Sequence, residues 1–365
     1  MTKLLDRREF IVSTLAAPLL GACAKRETGP QRTGRQLGYA LVGLGTLSRG
    51  QLGPALQRTT NCRLAGIVTG TPASAAEWQS RYGIPDRSVY TYDTIERMAD
   101  NPDIDVVYVV TPNSLHADHS IAAIRAGKHV FCEKPMEVSV ERCEAMIAAA
   151  REAGVQLGIA YRCQFEPHHL ECERLAREAV FGKLRTVEAA FGFPMRNADQ
   201  WRLDRQLSGG GPLMDVGIYA LQTARMLAGE PVAVSAVQTN TESGPFRDVE
   251  SDLTMTLTFP DGVVATCSCS YTAAMNSFTA TAEHGSFGMR PAYSYSGNRG
   301  WRSDGAELSF PPIDHFVAEM DDFADCIMTG RRTRVPGEEG LRDIRIMMAA
   351  YQAARSGQPV RLAAG

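Results

Sequence analysis

The chain has 365 residues, of which 44% are hydrophobic and 22% charged, and its formal net charge at pH 7 is -3. This length predicts two domains, and the composition is that of a globular protein with enough apolar residues for two cores. A near-neutral balance without a basic patch or stripe argues against nucleic-acid binding.

The N-terminal segment has the pattern of an export signal. Arg7 and Arg8 form a twin-arginine pair, and the apolar run 11–20 is too short to span a bilayer but suits a signal-peptide core. The residues around Cys23 resemble both a lipoprotein processing box, which would leave a lipidated membrane tether, and a small-residue cleavage site, which would leave a soluble product. We therefore predict that residues 1–24 direct twin-arginine export to the periplasm. If the segment is an ordinary amphipathic helix, the protein stays cytoplasmic.

A polar arm, 25–37, leads into residues 38–160, where short apolar runs alternate with helical patterns. The helix 139–153 is the clearest, because Ser139 can cap its N-terminus and Gly154 follows its last turn. Alternating strands and helices predict α/β architecture, a doubly wound parallel sheet of the Rossmann kind. The predicted strands are 38–42, 64–68, 105–110, 129–132 and 156–161.

The pattern changes in residues 161–365, for which we predict an α+β domain. Residues 253–259 alternate apolar and polar side chains, and Asp261-Gly262 then marks a hairpin turn. Such alternation predicts a large, mostly antiparallel open sheet whose less buried face is available to helices or to another subunit. Further strands are predicted at 263–271 and 278–282, and helices near 166–180, 212–228, 313–329 and 337–355.

A glycine-rich turn follows the first predicted strand and opens a helix. The pattern Gly-x-Gly-x-x-Ser permits a tight turn, and the helix N-terminus offers amide hydrogens to a pyrophosphate. By itself the pattern is equally typical of an ordinary strand–helix turn, but its position at the first strand favours a dinucleotide site. The candidate contacts are Gly43, Gly45, Thr46, Leu47 and Ser48.

The end of the second predicted strand favours NADP over NAD. NAD enzymes usually place a carboxylate there for the ribose 2′-hydroxyl, whereas this strand is followed by Thr69, Gly70 and Thr71. These residues can donate hydrogen bonds to a 2′-phosphate, and Arg49 is a candidate cationic partner. The alternative is that they are turn residues and that an acidic ligand lies elsewhere.

Three side chains are suited to proton transfer. Lys134 follows the strand 129–132, at the end where a doubly wound sheet presents its ligands. Asp215 and Tyr219 are four residues apart, so they are predicted to share a helical face, and the glycines 209–211 before them let that helix approach other backbone closely. An acid and a phenol near a lysine form a sensible proton relay. A surface lysine and a hydrogen-bonded core pair are the structural alternatives.

The cysteines indicate no metal site. None of the eight after Cys23 forms a C-x-x-C pair, and their spacings match no zinc site. A protein that folds in a reducing cytoplasm before export needs no disulfides, so we predict structural thiols. They are Cys62, Cys132, Cys143, Cys163, Cys172, Cys267, Cys269 and Cys326.

Taken together, these motifs resemble the Gfo/Idh/MocA oxidoreductases, and within them the glucose–fructose and aldose–aldose oxidoreductases. The resemblance covers the chain after residue 38, with the motifs in the family's order and spacing. The motifs that carry it are the glycine turn, 111–116, Glu133-Lys134-Pro135, Tyr161-Arg162, 200–203, 209–219 and 336–340.

The resemblance implies roles for the candidate residues. Lys134 would contact the nicotinamide ribose and the reacting hydroxyl, and Tyr219 would be the general base in place of a histidine found in many relatives, assisted by Asp215. A sugar pocket would be lined by Tyr161 and Arg162, with Tyr271 a weaker candidate. The resemblance also implies cofactor contacts at Thr111, Pro112, Asn113, His116, Glu133, Lys134 and Arg162.

The resulting hypothesis is an NADP enzyme with a tightly bound cofactor that uses aldoses as both hydride donor and acceptor. An exported enzyme meets no free nicotinamide pool, so it would recycle its cofactor in place, forming a lactone and then an alditol. Lys134 is expected to lower the pKa of Tyr219 toward neutral pH. An aldose 1-dehydrogenase with exchangeable cofactor and a non-catalytic sugar- or nucleotide-sensing protein are the alternatives. By family analogy, a homodimer or homotetramer is expected.

Overall fold

The computed structural model describes residues 34–240 and 243–363. The predicted signal 1–24, with Cys23, and most of the arm 25–37 lie outside the described residues, so both stay predictions. From Arg35 onward the chain forms one compact unit. In the described ranges, no helix combines the length and the apolar character needed to cross a membrane.

The first half contains a six-stranded sheet in which all strands run parallel, in the order β3-β2-β1-β4-β5-β6. Its central strands are continuous apolar runs that are buried along their whole length. The predicted Rossmann architecture is therefore confirmed, and the carboxyl ends of the strands meet at one edge. The strands are β1 (Leu37–Val42), β2 (Cys62–Val68), β3 (Val89–Tyr90), β4 (Val106–Val109), β5 (His129–Glu133) and β6 (Leu157–Ala160).

The helices between these strands begin and end at residues that the sequence indicates. Ser139 Oγ accepts a hydrogen bond from the Arg142 amide at 3.3 Å, which caps α4, and Gly154 ends that helix at φ 67°. After β1 the chain makes a π-helical turn, Ser48–Leu52, before its first α-helix. The helices are α1 (Gly53–Leu56), α2 (Pro72–Tyr82), α3 (His116–Arg125) and α4 (Val140–Ala153).

The second half contains an open eight-stranded sheet in the order β13-β12-β11-β7-β10-β9-β8-β14. Every neighbouring pair is antiparallel except β7 and β10, as the period-two alternation predicts. Gly262 has φ 81° in the predicted hairpin turn. The strands are β7 (Leu184–Gly192), β8 (Ala233–Thr239), β9 (Asp252–Thr258), β10 (Val264–Ser270), β11 (Met275–Ala282), β12 (Gly285–Met289), β13 (Gly300–Arg302) and β14 (Val360–Arg361).

The helices of the second half connect the two sheets. The ring of Phe323 in α8 stacks on Phe131 of β5, with centroids 4.8 Å apart, and Tyr39 of β1 donates a hydrogen bond to the Met320 carbonyl at 3.1 Å. A C-terminal helix thus packs on the Rossmann sheet, and one hydrophobic core spans both halves. The helices are α5 (Pro167–Arg177), α6 (Arg205–Ser208), α7 (Ile218–Ala228), α8 (His315–Thr329) and α9 (Gly337–Ser356).

Candidate active site

A cavity of about 570 Å³ lies where the carboxyl ends of β1, β4, β5 and β6 face the second sheet. Its walls combine backbone of the glycine turn with aromatic and charged side chains of the second half. Most of the predicted site residues meet here. Those that line the cavity are Gly45, Thr46, Leu47, Thr111, Asn113, His116, Glu133, Lys134, Arg162, Asp215 and Tyr219.

The glycine turn has the shape that a dinucleotide requires. Gly43 has φ 96°, and a Cβ there would lie 2.9 Å from the Val110 carbonyl oxygen, so a larger residue is excluded. Among the described residues, a Cβ on Gly45 would meet nothing within 4 Å, which leaves space where a ligand can approach the backbone. Ser48 does not face the cavity; its hydroxyl donates to the Gly43 carbonyl at 2.6 Å and closes the turn. These residues fit a bound nicotinamide dinucleotide.

The loop after β4 is attached to the lysine loop by His116. The His116 ring lies between two backbone carbonyls, with Nε2 2.8 Å from that of Thr111 and Nδ1 2.9 Å from that of Pro135. Burial lowers the pKa of His116 to about 4, although these two carbonyls oppose the shift. Asn113 donates to the Ser208 carbonyl at 2.8 Å, which joins the same loop to α6. Both side chains position the cavity wall, while Pro112 only orients the loop before Asn113.

The residues that favoured NADP lie together at the end of β2, outside the cavity itself. Thr71 precedes α2 as its N-cap, and Thr69 Oγ1 accepts a hydrogen bond from the Thr71 amide at 3.2 Å. Gly70 lies between them, and a Cβ there would sit 3.4 Å from the Tyr92 ring. This short turn leaves the N-terminus of α2 open to an anion.

Arg49 reaches this corner but is already paired. Its guanidinium contacts the Glu77 carboxylate at 2.5 Å and donates to Ser74 Oγ at 2.9 Å, both in α2. The carboxylate is half exposed. An acidic group therefore does lie near the cationic partner, but it comes from the helix rather than from the strand end.

Lys134 occupies the centre of the site. Its Nζ donates to the Asp215 backbone carbonyl at 2.7 Å, lies 3.9 Å from the Asp215 carboxylate and sits 4.7 Å from the centre of the Tyr219 ring. Burial lowers the pKa of Lys134. The preceding Glu133 is buried and accepts a hydrogen bond from the Tyr108 hydroxyl at 2.9 Å, which fixes the strand end that carries the lysine.

Asp215 is held as a carboxylate by two groups besides Lys134. Arg202 Nε lies 3.2 Å from one carboxylate oxygen, and the Tyr271 hydroxyl donates to the other at 3.1 Å. Burial raises the pKa of Asp215, but Arg202 and Lys134 outweigh it and hold that pKa below its usual range. Asp215 lies in a π-helical turn, Leu213–Gly217, and Tyr219 lies in the first turn of the α-helix that follows. Both residues line the cavity.

Tyr219 is partly buried, and its hydroxyl accepts a hydrogen bond from Arg162 Nε at 3.1 Å. The guanidinium also lies 4.9 Å from the centre of the Tyr219 ring. Burial raises the pKa of Tyr219 despite the opposing charge of Arg162. The expectation that Lys134 lowers this pKa is therefore wrong: the ammonium lies over the ring, and the cation at the hydroxyl is Arg162.

Comparison with known proteins identifies the family. A family model for the GFO_IDH_MocA oxidoreductases, with an NAD-binding Rossmann fold, matches residues 37–161, and one for the GFO/IDH/MocA C-terminal domain matches residues 169–289. The D-xylose 1-dehydrogenase (NADP(+)) of Haloarcula marismortui is 31% identical over 94% of this chain and 98% of its own length. The chain belongs to the Gfo/Idh/MocA family.

Solved structures of other proteins have the same fold. Aldose–aldose oxidoreductase from Caulobacter crescentus, complexed with glycerol, is 43% identical with a TM-score of 0.88, over 90% of this chain and 100% of that one. A 3-ketoreductase from Actinomadura kijaniata, in complex with NADP and TDP-benzene, is 25% identical with a TM-score of 0.77, over 87% and 98%. The predicted family resemblance is confirmed.

Two of the predicted sugar contacts lie elsewhere in this Gfo/Idh/MocA oxidoreductase. The hydroxyl of Tyr161 is turned away from the large cavity and donates to the buried Asp343 carboxylate at 2.5 Å. Asp343 in turn pairs with Arg225, so Tyr161 belongs to a buried polar network. Tyr271 does not line the cavity. Its ring is buried, and only its hydroxyl contacts the Asp215 carboxylate. The structure therefore corrects the prediction that Tyr161 lines the sugar pocket. Tyr271 donates a hydrogen bond to the Asp215 carboxylate instead of lining that pocket.

The structure adds residues that sequence reasoning did not place in the site. Arg202 holds Asp215, and its neighbour Trp201 lines the cavity. The motif that contains them was visible in the sequence, but nothing in its spacing indicates which residue it contacts. The other polar or aromatic lining residues that sequence reasoning missed are Phe191, Phe193, Gln200, Asn276, Tyr293, Ser294, Tyr295 and Phe316.

Proposed function

We propose that the protein is an NADP-dependent aldose oxidoreductase. In its first half-reaction an aldopyranose is oxidised at C1 to a lactone, and in its second another sugar is reduced to an alditol by the same bound cofactor. The observation that carries the proposal is the convergence of Lys134, Asp215 and Tyr219 on the cavity that begins at the glycine turn. This arrangement unites a proton-transfer group with a dinucleotide cradle.

Proton transfer is assigned to the Tyr219 hydroxyl. Bound NADP would supply the hydride acceptor in one half-reaction and the hydride donor in the other. Arg162 donates to the Tyr219 oxygen and so stabilises the phenolate that takes the proton from the anomeric hydroxyl. In the reverse direction the neutral phenol donates a proton to the carbonyl oxygen of the second sugar. Lys134 orients that oxygen, and the Asp215 carboxylate keeps the lysine charged.

The preference for NADP rests on the corner at the end of β2. No carboxylate follows the strand, and Arg49 lies beside the N-terminus of α2, where the 2′-phosphate would bind. The D-xylose 1-dehydrogenase relative uses NADP by its name, and the Actinomadura ketoreductase holds NADP. For that phosphate to bind, Arg49 has to turn from Glu77 toward it.

Sugar as the substrate class is supported by the lining opposite the glycine turn. Asn276 and Ser294 offer polar groups for hydroxyls, while Trp201 and Tyr295 offer flat apolar faces for the C–H side of a pyranose ring. The similar aldose–aldose oxidoreductase binds glycerol, a polyol. The names of the relatives also describe sugar substrates.

Retention of the cofactor is proposed from the N-terminal export pattern, since a periplasmic enzyme has no soluble nicotinamide pool to draw on. A homodimer or homotetramer, formed through the open sheet, completes the proposal. The second candidate is an aldose 1-dehydrogenase that exchanges its cofactor, which the xylose dehydrogenase relatives favour.

One preparation tests the proposal. The protein is purified without added cofactor, any bound nucleotide is identified by mass spectrometry, and the protein is then incubated with mixed aldoses. Bound NADP with paired lactone and alditol products supports the shuttle. Stoichiometric release of NADPH supports the dehydrogenase, and bound nucleotide without turnover of any aldose supports a sensing protein.

A further inference from the structure

Cys163 lies behind the catalytic cavity, one residue after Arg162 and six before His169. It is partly exposed, whereas the other seven cysteines in the described ranges are buried. A second cavity, of about 20 Å³, is lined by Cys163, His169, Tyr219 and Lys134 among others. A space of this size admits a molecule of one or two heavy atoms.

The His169 ring is oriented by the Glu166 carboxylate, which contacts only one of its two ring nitrogens. Its Nδ1 contacts the Glu166 carboxylate at 2.8 Å, and the same carboxylate accepts from His168 Nδ1 at 2.7 Å and from the His169 amide at 3.0 Å. His169 is 1% exposed, and its Nε2 makes no hydrogen bond in the part of the chain that the structure describes. Helix capping accounts for Glu166 but not for this nitrogen, and His169 lines the same small cavity as Cys163.

The charges around the sulfur favour its ionised form. Burial raises the pKa of the Cys163 thiol, but Arg162 and His169 outweigh it, and the pKa is lowered. Burial lowers the pKa of His169, but Cys163 and Glu166 raise it to about 9. Burial raises the pKa of Cys172, one turn further along α5, which provides an internal contrast. A thiolate and an imidazolium that line one cavity combine a sulfur nucleophile with a proton donor.

We propose that Cys163 is a peroxide-reactive thiol, oxidised to a sulfenic acid by hydrogen peroxide in the second cavity, with His169 as acid and Glu166 as its positioning residue. The thiolate sulfur attacks one peroxide oxygen, and the O–O bond breaks. Sulfur loses two electrons and the peroxide gains them. The His169 imidazolium donates its proton to the leaving hydroxide, so that the products are the sulfenic acid, water and neutral imidazole. The cavity is too small for a thiol peptide or an alkylating reagent, which selects hydrogen peroxide.

The position of the thiol connects this chemistry to the main cavity. Tyr219 walls both cavities, and the Cys163 thiolate is one of the charges that raise its pKa. Oxidation would replace a negative charge with a neutral group carrying an extra oxygen, in contact with the Tyr219 wall. We expect a change of turnover, but the modification itself does not depend on the proposed function.

The test exposes the purified full-length protein to limiting hydrogen peroxide and transfers it at intervals into denaturant containing dimedone, which labels sulfenic acids. Peptide mass spectrometry then gives the labelling rate of each cysteine. Cys163 is expected to label at least about tenfold faster than Cys172, because only the former has thiolate character. Equal rates for the two cysteines would overturn the proposal, and this comparison requires no variant.

Two histidine variants separate activation from mere accessibility. His169→Asn removes the imidazole and should lower the Cys163 labelling rate by about tenfold. His168→Asn removes the other histidine that contacts Glu166 and should leave the rate within about twofold of wild type, because His168 is not among the residues that line the second cavity. If His169→Asn, folded by circular dichroism, labels as fast as wild type, the assignment of His169 is wrong.

Discussion

The Tyr219 hydroxyl is the group on which the proposed chemistry depends. Tyr219→Phe removes one oxygen, keeps the ring under Lys134 and should lower kcat by about 10²- to 10⁴-fold while bound cofactor is retained. Steady-state kinetics and mass spectrometry of bound nucleotide measure both effects. Unchanged turnover would remove Tyr219 from the mechanism.

Tyr161→Phe is the matched control, because it removes another buried phenol oxygen near the site. Its hydroxyl donates to Asp343 rather than to the cavity. The loss leaves a buried carboxylate with one donor fewer, so the free energy of unfolding should fall by about 1–3 kcal/mol. Urea denaturation should detect this change, while kcat stays close to wild type.

The raised pKa of Tyr219 predicts that the two half-reactions depend differently on pH. The phenol is neutral at pH 7, so the phenolate fraction, and with it the rate of sugar oxidation, should rise about tenfold per pH unit from pH 7 to 9. Sugar reduction uses the neutral phenol and should stay level over this range. Rapid mixing of the two half-reactions separates them. An oxidation rate that levels off near pH 7 would point to a base of ordinary pKa instead.

Arg49 is predicted to determine the preference between the two nicotinamide cofactors. Arg49→Ala removes the cation beside α2 and should weaken NADP binding by roughly tenfold, with NAD binding unchanged. Glu77→Gln is the converse variant: it removes the competing carboxylate and should tighten NADP binding. Titration of cofactor-free protein gives both affinities. Equal loss for NADP and NAD in Arg49→Ala would refute the assignment.

Among the secondary-structure elements, the helix that carries Asp215 and Tyr219 depends on close backbone packing. A Cβ on Gly211 would lie 2.2 Å from the Glu250 carbonyl oxygen, as the run of glycines predicts. The Glu250 carboxylate also accepts from the Gly211 amide at 2.9 Å and from the Tyr351 hydroxyl at 2.8 Å. The start of this helix is therefore fixed by the loop that precedes β9.

Gly211→Ala should accordingly destabilise the protein through this element. The Glu250 backbone has to move, so we expect the free energy of unfolding to fall by about 2–4 kcal/mol. Gly50→Ala is the control. Gly50 lies in a helical turn, and a Cβ there would meet nothing within 4 Å in the part of the chain that the structure describes, so this substitution should change the free energy of unfolding very little. Chemical denaturation compares the two variants, and equal effects would contradict the packing argument.

Local patterns predicted most elements because the signals are themselves local. The Ser139 cap, the Gly154 stop and the Gly262 hairpin each depend on a few adjacent residues, and the structure contains all three. The π-helical turn before Tyr219 was not predicted, since it has the same apolar spacing as an α-helix. Its start is held by a residue distant in sequence, because the Glu250 carboxylate accepts a hydrogen bond from the Leu213 amide at 3.3 Å.

At the scale of the whole molecule, the site is assembled from contacts that no sequence pattern indicates. Lys134 and Asp215 are far apart in the chain, yet their side chains meet across the two halves. The pairing of Arg162 with Tyr219 and of Arg202 with Asp215 depends on how α7 and β6 are placed by the shared core. The sequence therefore indicated residues that meet in one cavity, but it misassigned the cation beside Tyr219 and the contact made by Tyr161.

In the proposed shuttle, one cofactor carries hydride from one sugar to another without leaving the protein. The direct measurement supplies a C1-deuterated aldose and an unlabelled acceptor sugar in the presence of excess unlabelled free NADPH. If the cofactor is retained, the alditol should contain deuterium undiluted by the free cofactor, and the free NADPH pool should contain none. Deuterium in free NADPH, with unlabelled alditol, would contradict it and identify an exchanging dehydrogenase.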